Sequence, residues 1–459
     1  MKSTIAFVCQ ECGYDTVAWL GKCPECGQWN SFKEIRLNKS PSSSRAVSLR
    51  SQSGSFANAQ SAPLTLDKIT SEEKERLSTG FFEFDGVLGG SASSSRGETG
   101  GIVPGSVVLL AGDPGVGKST LLLQSAISIS NKSPEKTVLY ISAEESMEQI
   151  KLRAMRITKE TSLKNFLVVS LTNTDSVVAL IEEMKPSLVI VDSIQTMESE
   201  NVAGFSGSVG QIRYATAQFV KVAKGLKIPM ILVGHVTKEG MVAGPMVLSH
   251  MVDAVLFLEG DKYSKSRILR SFKNRFGSID EVGVFAMGEK GILEIKSPEQ
   301  LFLSKNGNKT LPGSVLIVTL EGSRAFLVEV QALVVVSKFP MPKRVASGID
   351  SRRLELLLAV LQKHTQLPLS SMDVFVNIAG GLKISDPASD LGICLAIFSS
   401  FKNIALSKTV GIAEVGLLGE LREVPYVEKR LKEAKKLGFT KIITPSNFKT
   451  LKDVFGSIK

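Results

Sequence analysis

The chain has 459 residues, 43% of them hydrophobic and 22% charged, with a formal net charge of +10. That length predicts two or three domains, and that balance excludes a disordered chain. No apolar run reaches bilayer-spanning length and the N-terminus has no signal-like apolar stretch, so a cytoplasmic protein is expected, with a basic lean toward polyanionic partners.

The first predicted element, residues 1–32, holds four of the five cysteines. They are spaced Cys9-x-x-Cys12, ten residues, Cys23-x-x-Cys26, with Gly13 and Gly27 directly after each pair. Two residues between thiolates let both sulfurs reach one ion, and four thiolates close a tetrahedral shell. Structural zinc is therefore expected, with rubredoxin-like iron as the alternative. Residues 33–66 follow as a flexible linker, rich in serine over 38–63.

Residues 67–297 alternate apolar runs with helical patterns. Val107–Ala111, Val138–Ser142, Leu188–Asp192, Met230–Gly234 and Ala254–Leu258 read as buried strands, and Lys118–Ile129 and Gln211–Gly225 as helices. Such alternation predicts a mostly parallel sheet covered on both faces. The polar stretch over 91–101 reads as an exposed loop.

Between the first strand and its helix, Gly112-Asp113-Pro114-Gly115-Val116-Gly117-Lys118-Ser119 matches G-x-x-x-x-G-K-[ST], the loop whose amides cradle phosphates at a helix N-terminus. This predicts an ATP site running through Thr120, with Lys118 on the β- and γ-phosphates and Ser119 on magnesium. Asp192 closes the apolar run Leu188–Val191 as a second magnesium-holding carboxylate. Glu144 and Glu145, just past a strand end, are candidates to orient the attacking water, with Glu144 taken as the catalytic one.

Residues 298–459 change pattern. Paired strands are expected at Ser314–Leu320 and Ala325–Val336, then a helix at Arg352–Lys363, an element at Met372–Ala379, and helices at Ser389–Ser400 and Val427–Leu437, the last taken as final. This is a separate α+β domain.

With these pieces in order, the chain resembles the bacterial RadA (Sms) family of DNA-repair proteins over essentially its whole length. The cysteine knuckles, the Gly112–Ser119 loop, Asp192, the pentapeptide Lys273-Asn274-Arg275-Phe276-Gly277 and the C-terminal domain carry the resemblance. It implies an α/β fold: a RecA-like P-loop ATPase core with an N-terminal zinc ribbon and a C-terminal Lon-protease-like α+β domain. It also implies a DNA-dependent ATPase that branch-migrates recombination intermediates, binds single-stranded and branched DNA, and forms homo-hexamers. Recombinase or replisome proteins are the implied partners, and nucleoid association the implied location.

Within that resemblance, Lys273 and Arg275 are expected to act on DNA phosphates or on a neighbouring subunit's ATP, beside Lys262, Lys265, Arg267 and Arg270. His235 and Lys238 occupy the place of a γ-phosphate sensor, and Glu239–His250 that of a DNA-binding loop. The C-terminal segment Asp386-Pro387-Ala388-Ser389-Asp390-Leu391-Gly392 sits where Lon carries its nucleophile, but Ala388 takes the serine position and Glu428 the lysine position. Ser389 and Lys429 are each one residue off, so no peptidase activity is expected. The domain reads as a ring scaffold, or as a DNA surface through Lys343, Arg344, Arg352, Arg353, Lys429, Arg430, Lys435 and Lys436.

Overall fold

In the computed structural model, Val107–Gly112 forms a strand because six successive buried residues can be covered from both sides. Val108 and Leu110 point into one apolar core and Val107 and Leu109 into another, the period-two alternation of a sheet sandwiched between helices. The described residues are 4–9, 15–16, 18–24, 27–30, 32–37, 75–89, 100–158, 163–235, 245–260, 266–295, 311–322, 324–379 and 382–458.

At the N-terminus, β1 (Thr4–Cys9) pairs antiparallel with both β2 (Asp15–Thr16) and β3 (Phe32–Leu37). Among the described residues, Cys23 and Phe32 are buried here and Leu20 packs against them.

The central sheet is built from β4 (Val107–Gly112), β5 (Val138–Ser142), β6 (Phe166–Ser170), β7 (Leu188–Asp192), β8 (Met230–His235) and β9 (Ala254–Glu259), all parallel where they pair. Antiparallel strands β10 (Ser266–Asn274), β11 (Val282–Gly288) and β12 (Gly291–Glu294) extend it, giving the order β12-β11-β10-β9-β4-β8-β7-β5-β6. Helices α1 (Phe82–Leu88), α2 (Lys118–Lys132), α3 (Met147–Ile157), α4 (Thr174–Met184), α5 (Val209–Leu226) and the turn α6 (Pro245–Leu248) complete the unit. Strand β6 and the three-strand extension are additions to the five strands read from sequence. β6 escapes notice because it is a half-buried edge strand, and β10 because its charged residues interrupt the apolar run.

The C-terminal sheet has the order β15-β16-β14-β13-β17-β20, from β13 (Ser314–Glu321), β14 (Arg324–Val336), β15 (Arg344–Ser347), β16 (Met372–Ile378), β17 (Thr409–Gly411) and β20 (Lys441–Ile443). A small hairpin joins β18 (Glu414–Val415) to β19 (Leu421–Arg422). Helices Ser351–Thr365, Asp390–Lys402 and Leu451–Gly456 cover one face of the sheet, and Val427–Lys436 packs on the other. The helix at Leu451–Gly456 corrects the expectation that Val427–Leu437 is the last.

The two larger units share a junction. Val284 of β11 is buried within the C-terminal core, and Ile268 and Ile295 pack against that core. Arg324, at the start of β14, donates to both carboxylate oxygens of Glu83 in α1 at 2.8 and 2.9 Å. Glu83 is buried and also accepts from the Val284 amide at 2.9 Å.

Candidate nucleotide-binding site

Strand register brings the site together. Gly112 lies abreast of His235 across the β4–β8 pair, and Ser142 abreast of Asp192 across β5–β7. The loop after β4, the acids after β5, the end of β7 and the end of β8 therefore converge at the C-terminal edges of neighbouring parallel strands, where open α/β sheets hold ligands. A cleft of about 560 Å³ opens there.

The phosphate-type loop runs straight into α2, with Gly117 as N-cap at φ 116, a left-handed conformation open chiefly to glycine. A Cβ at Gly117 would stand 2.8 Å from Met287 Cε, so the β11–β12 hairpin packs directly on the loop. Arg267 of β10 donates its Nε to the Val116 carbonyl at 2.9 Å.

Lys118 is buried, and its ammonium donates to the Gly112 carbonyl at 2.8 Å, to the Asp113 carbonyl at 3.1 Å and to His235 Nδ1 at 3.2 Å. Burial lowers its pKa, and Asp192, Glu144 and Asp113 oppose that shift. An ammonium only donates, so in this contact Nδ1 accepts, and Nε2 is the ring nitrogen that faces Glu144. Nε2 lies 3.3 Å from Glu144 Oε1, which also accepts from Ser193 Oγ. The hydrogen bond from His235 leads the effects that draw the Glu144 carboxyl down to about 2, with burial opposing.

Asp192 is buried at the end of β7, and Tyr140 of β5 donates its hydroxyl to Asp192 Oδ2 at 2.6 Å. Burial, then the Asp192 charge, push the Tyr140 phenol well above its usual value, so it remains a donor. Glu145 is taken by an ion pair with Arg153 of α3. The structure thus gathers Lys118, Glu144, Asp192 and His235. Tyr140 and Ser193 are partners that the sequence reading passes over, because their contacts cross 52 and 49 residues, and Arg267, expected in a basic cluster, instead supports the loop across 151 residues.

Among known proteins, the chain is 44% identical over 447 residues to "DNA repair protein RadA" of Bacillus subtilis (strain 168), covering 97% of this chain and 93% of the relative. The same name belongs to relatives in Streptococcus pyogenes serotype M6, at 43% identity over 447 residues, and in Halalkalibacterium halodurans, at 42% over 445. Each of these alignments covers 97% of this chain and 93% of the relative. The chain belongs to the RadA family.

Within this RadA-family chain, an AAA domain model matches residues 72–241, a rubredoxin metal binding domain model 7–34, and a model of subunit ChlI of Mg-chelatase 350–447. The fold is accordingly a RecA-like P-loop core flanked by a zinc ribbon and a Lon-like α+β domain. A solved structure titled "Crystal structure of the RadB recombinase" is similar at TM-score 0.36 and 23% identity, covering 48% of this chain and 100% of that one.

Away from the cleft, Lys273 donates its ammonium to the Ser249 and Val252 carbonyls at 2.6 and 2.7 Å, and Asn274 to the Val87 and Leu88 carbonyls. Arg275, with half its side chain exposed, pairs with Asp253 at 3.1 Å. The basic cluster around this motif needs correction. Arg267 is buried against the phosphate-type loop and Arg270 pairs with Glu259, while Lys262 and Lys265 lie outside the described residues.

In the Lon-like domain, Ser389 is buried and donates to the Asp386 carbonyl at 2.7 Å, while the Lys429 ammonium stands 5.2 Å from the Tyr426 ring centroid. The proposed basic surface also needs correction. Arg430 is 2% exposed and donates to both Asp386 oxygens and to the Val318 carbonyl. Arg353 pairs with buried Asp390, and Arg344 is spent on the Met372 and Leu369 carbonyls.

In the zinc ribbon, Cys23 is buried and its carbonyl accepts from the Gly27 amide at 2.9 Å, a tight turn that suits a thiolate knuckle. Cys12, Cys26, Lys238, the stretch 239–244 and the loop 91–99 lie outside the described residues, as does the Cys9 side chain. No helix among the described residues is long and apolar enough to cross a membrane.

Proposed function

We propose that this chain is a DNA-dependent ATP hydrolase that processes recombination intermediates in DNA repair. The observation that carries the reading is the convergence of Lys118, Glu144, Asp192 and His235 on one cleft at the strand ends. The repair context is supported by full-length similarity to relatives named for it.

In this reading the amides of 112–120, Pro114 excepted, cradle the triphosphate, and the Lys118 ammonium exchanges its loop carbonyls for β- and γ-phosphate oxygens. Ser119 and Asp192 hold the magnesium that enters with ATP. Glu144, kept ionised by its hydrogen bonds, orients the attacking water, and its pairing with His235 links the reacting end to β8 and the segment beyond it. Lys273 holds the backbone at 249–252, and Arg275 is the cation of its motif with half its side chain exposed, toward DNA or a neighbouring subunit. Cys9, Cys12, Cys23 and Cys26 would hold a structural zinc, which supplies the ribbon's folding energy.

The protein would act in the cytoplasm as a homo-hexamer on single-stranded and branched DNA, together with recombinase or replisome proteins. We infer that the Lon-like domain is proteolytically inactive. Ala388 fills the serine position, Ser389 is engaged with a backbone carbonyl, and Lys429 lies over Tyr426. The test is ATP hydrolysis and branch migration with and without single-stranded DNA. Stimulation by DNA, lost in Lys118→Ala, is expected. Turnover indifferent to every DNA tested would favour a nucleotide switch and sink the motor reading.

A further inference from the structure

Helix α1 is short, and both of its ends are held by residues far away in sequence. At the amide end, the Glu83 N–H donates to Glu294 Oε1 at 2.7 Å, and the Glu83 carboxylate accepts twice from Arg324 of the Lon-like domain. At the carbonyl end, a helix leaves its last C=O groups without internal partners, and here two side chains supply the donors. Asn274 Nδ2 donates to the Val87 and Leu88 carbonyls at 3.2 and 3.0 Å. Arg76 Nη1 donates to the Leu88 and Gly89 carbonyls at 3.3 and 2.9 Å.

The same two side chains also reach the turn that carries Arg275. Arg76 Nη2 donates to the Phe276 carbonyl at 2.8 Å, and Asn274 Oδ1 accepts from the Phe276 amide at 2.9 Å. Gly277 lies so close to the end of α1 that a Cβ there would stand 2.8 Å from Gly89 Cα. The backbone just past Arg275 is thereby fastened to α1. A planar guanidinium engaged through both terminal nitrogens fixes direction as well as distance, which an ammonium does not. Arg275 itself meets Asp253 through Nη1 with half its side chain exposed, so its direction depends on the backbone beneath it.

We propose that α1 is a strut that positions Arg275, with Arg76 and Asn274 joining its carbonyl end to the motif and Arg324 joining its amide end to the Lon-like domain. The Lon-like domain then sets the placement of Arg275 through a helix of 7 residues. Arg76, Asn274 and Arg324 are positioning residues, and none of them lines the nucleotide cleft. This rests on the reading of Arg275 as the cation that acts on DNA phosphates or on a neighbouring subunit's ATP.

The experiment measures ATP turnover by the full-length protein on a single-stranded oligothymidine, with Mg-ATP affinity read by calorimetry, as double-mutant cycles against Arg275→Ala. Arg76→Ala should lower DNA-stimulated turnover about tenfold with ATP affinity unchanged. Combined with Arg275→Ala, it should be no slower than Arg275→Ala alone. Arg76→Lys, which keeps the charge without the fork, should show a smaller loss of the same kind and guards against misfolding of Arg76→Ala. At the far end, Arg324→Lys should lower turnover about threefold and likewise add nothing to Arg275→Ala. Losses that multiply in the combined variants, or a matching fall in ATP affinity, would show that these contacts only stabilise the fold. Wild-type turnover in Arg76→Ala or Arg324→Lys would show that α1 positions nothing. Each of these results overturns the proposal while leaving the reading of Arg275 in place. Wild-type turnover in Arg275→Ala would instead remove that reading, and the strut's role with it.

Discussion

Tyr140 holds one oxygen of Asp192 from within the sheet, so the carboxylate can turn toward a cation in only one way. Tyr140→Phe keeps the ring and strands Asp192 Oδ2 without its donor, a loss of roughly 1–3 kcal/mol for a buried group. We expect ATP hydrolysis by this variant to need more magnesium and to run about tenfold slower, read from a magnesium titration of turnover. Unchanged magnesium dependence would dissociate Tyr140 from metal placement. Glu144 makes a pH prediction of definite sign. Its carboxyl is lowered from 4.5 to about 2 in the folded chain, so its contribution to stability is complete above 4.5 and is lost as pH falls through about 2. Wild type and Glu144→Gln should therefore show a constant difference in unfolding midpoint above 4.5 that narrows toward 2.

At the scale of elements, the legible parts were those whose signal is contiguous. The loop after β4 is eight consecutive residues, and the five central strands are unbroken apolar runs because each is covered on both faces. The supports of that loop were not legible, since Gln124 and Arg267 meet their partners across 168 and 151 residues with no pattern to mark them. Arg430 shows the same limit from the other side. Its neighbours Lys429, Lys432, Lys435 and Lys436 suggest a solvated basic face, yet one residue's rotation on the helix turns it inward onto Asp386. Arg430→Ala leaves Asp386 paired with no guanidinium and should cost about 3–5 kcal/mol, whereas Lys436→Ala should change stability by less than about 1 kcal/mol. Denaturant unfolding of the two variants compares them directly. Equal midpoints would show that the buried pair contributes nothing particular.

At the scale of the whole molecule, the three units are unequal in how they hold themselves together. Among the described residues the ribbon buries only Cys23 and Phe32, so its order should depend on metal. Chelation should expose residues 4–37 to protease while the ATPase core stays resistant. The ATPase core depends in turn on the domain after it, through the Arg324–Glu83 pair. On the ribosome that dependence becomes a matter of timing. Glu83 is made 241 residues before its guanidinium, an interval of about 10–50 s at ordinary rates of synthesis. Throughout that interval the nascent ATPase core must either leave α1 undocked or bury a carboxylate without a counter-ion. A chain stalled with residues up to 310 outside the tunnel should be cut readily near α1, and one stalled beyond 340 should not. Arg324→Met in the finished protein should reproduce the vulnerability of the unfinished one.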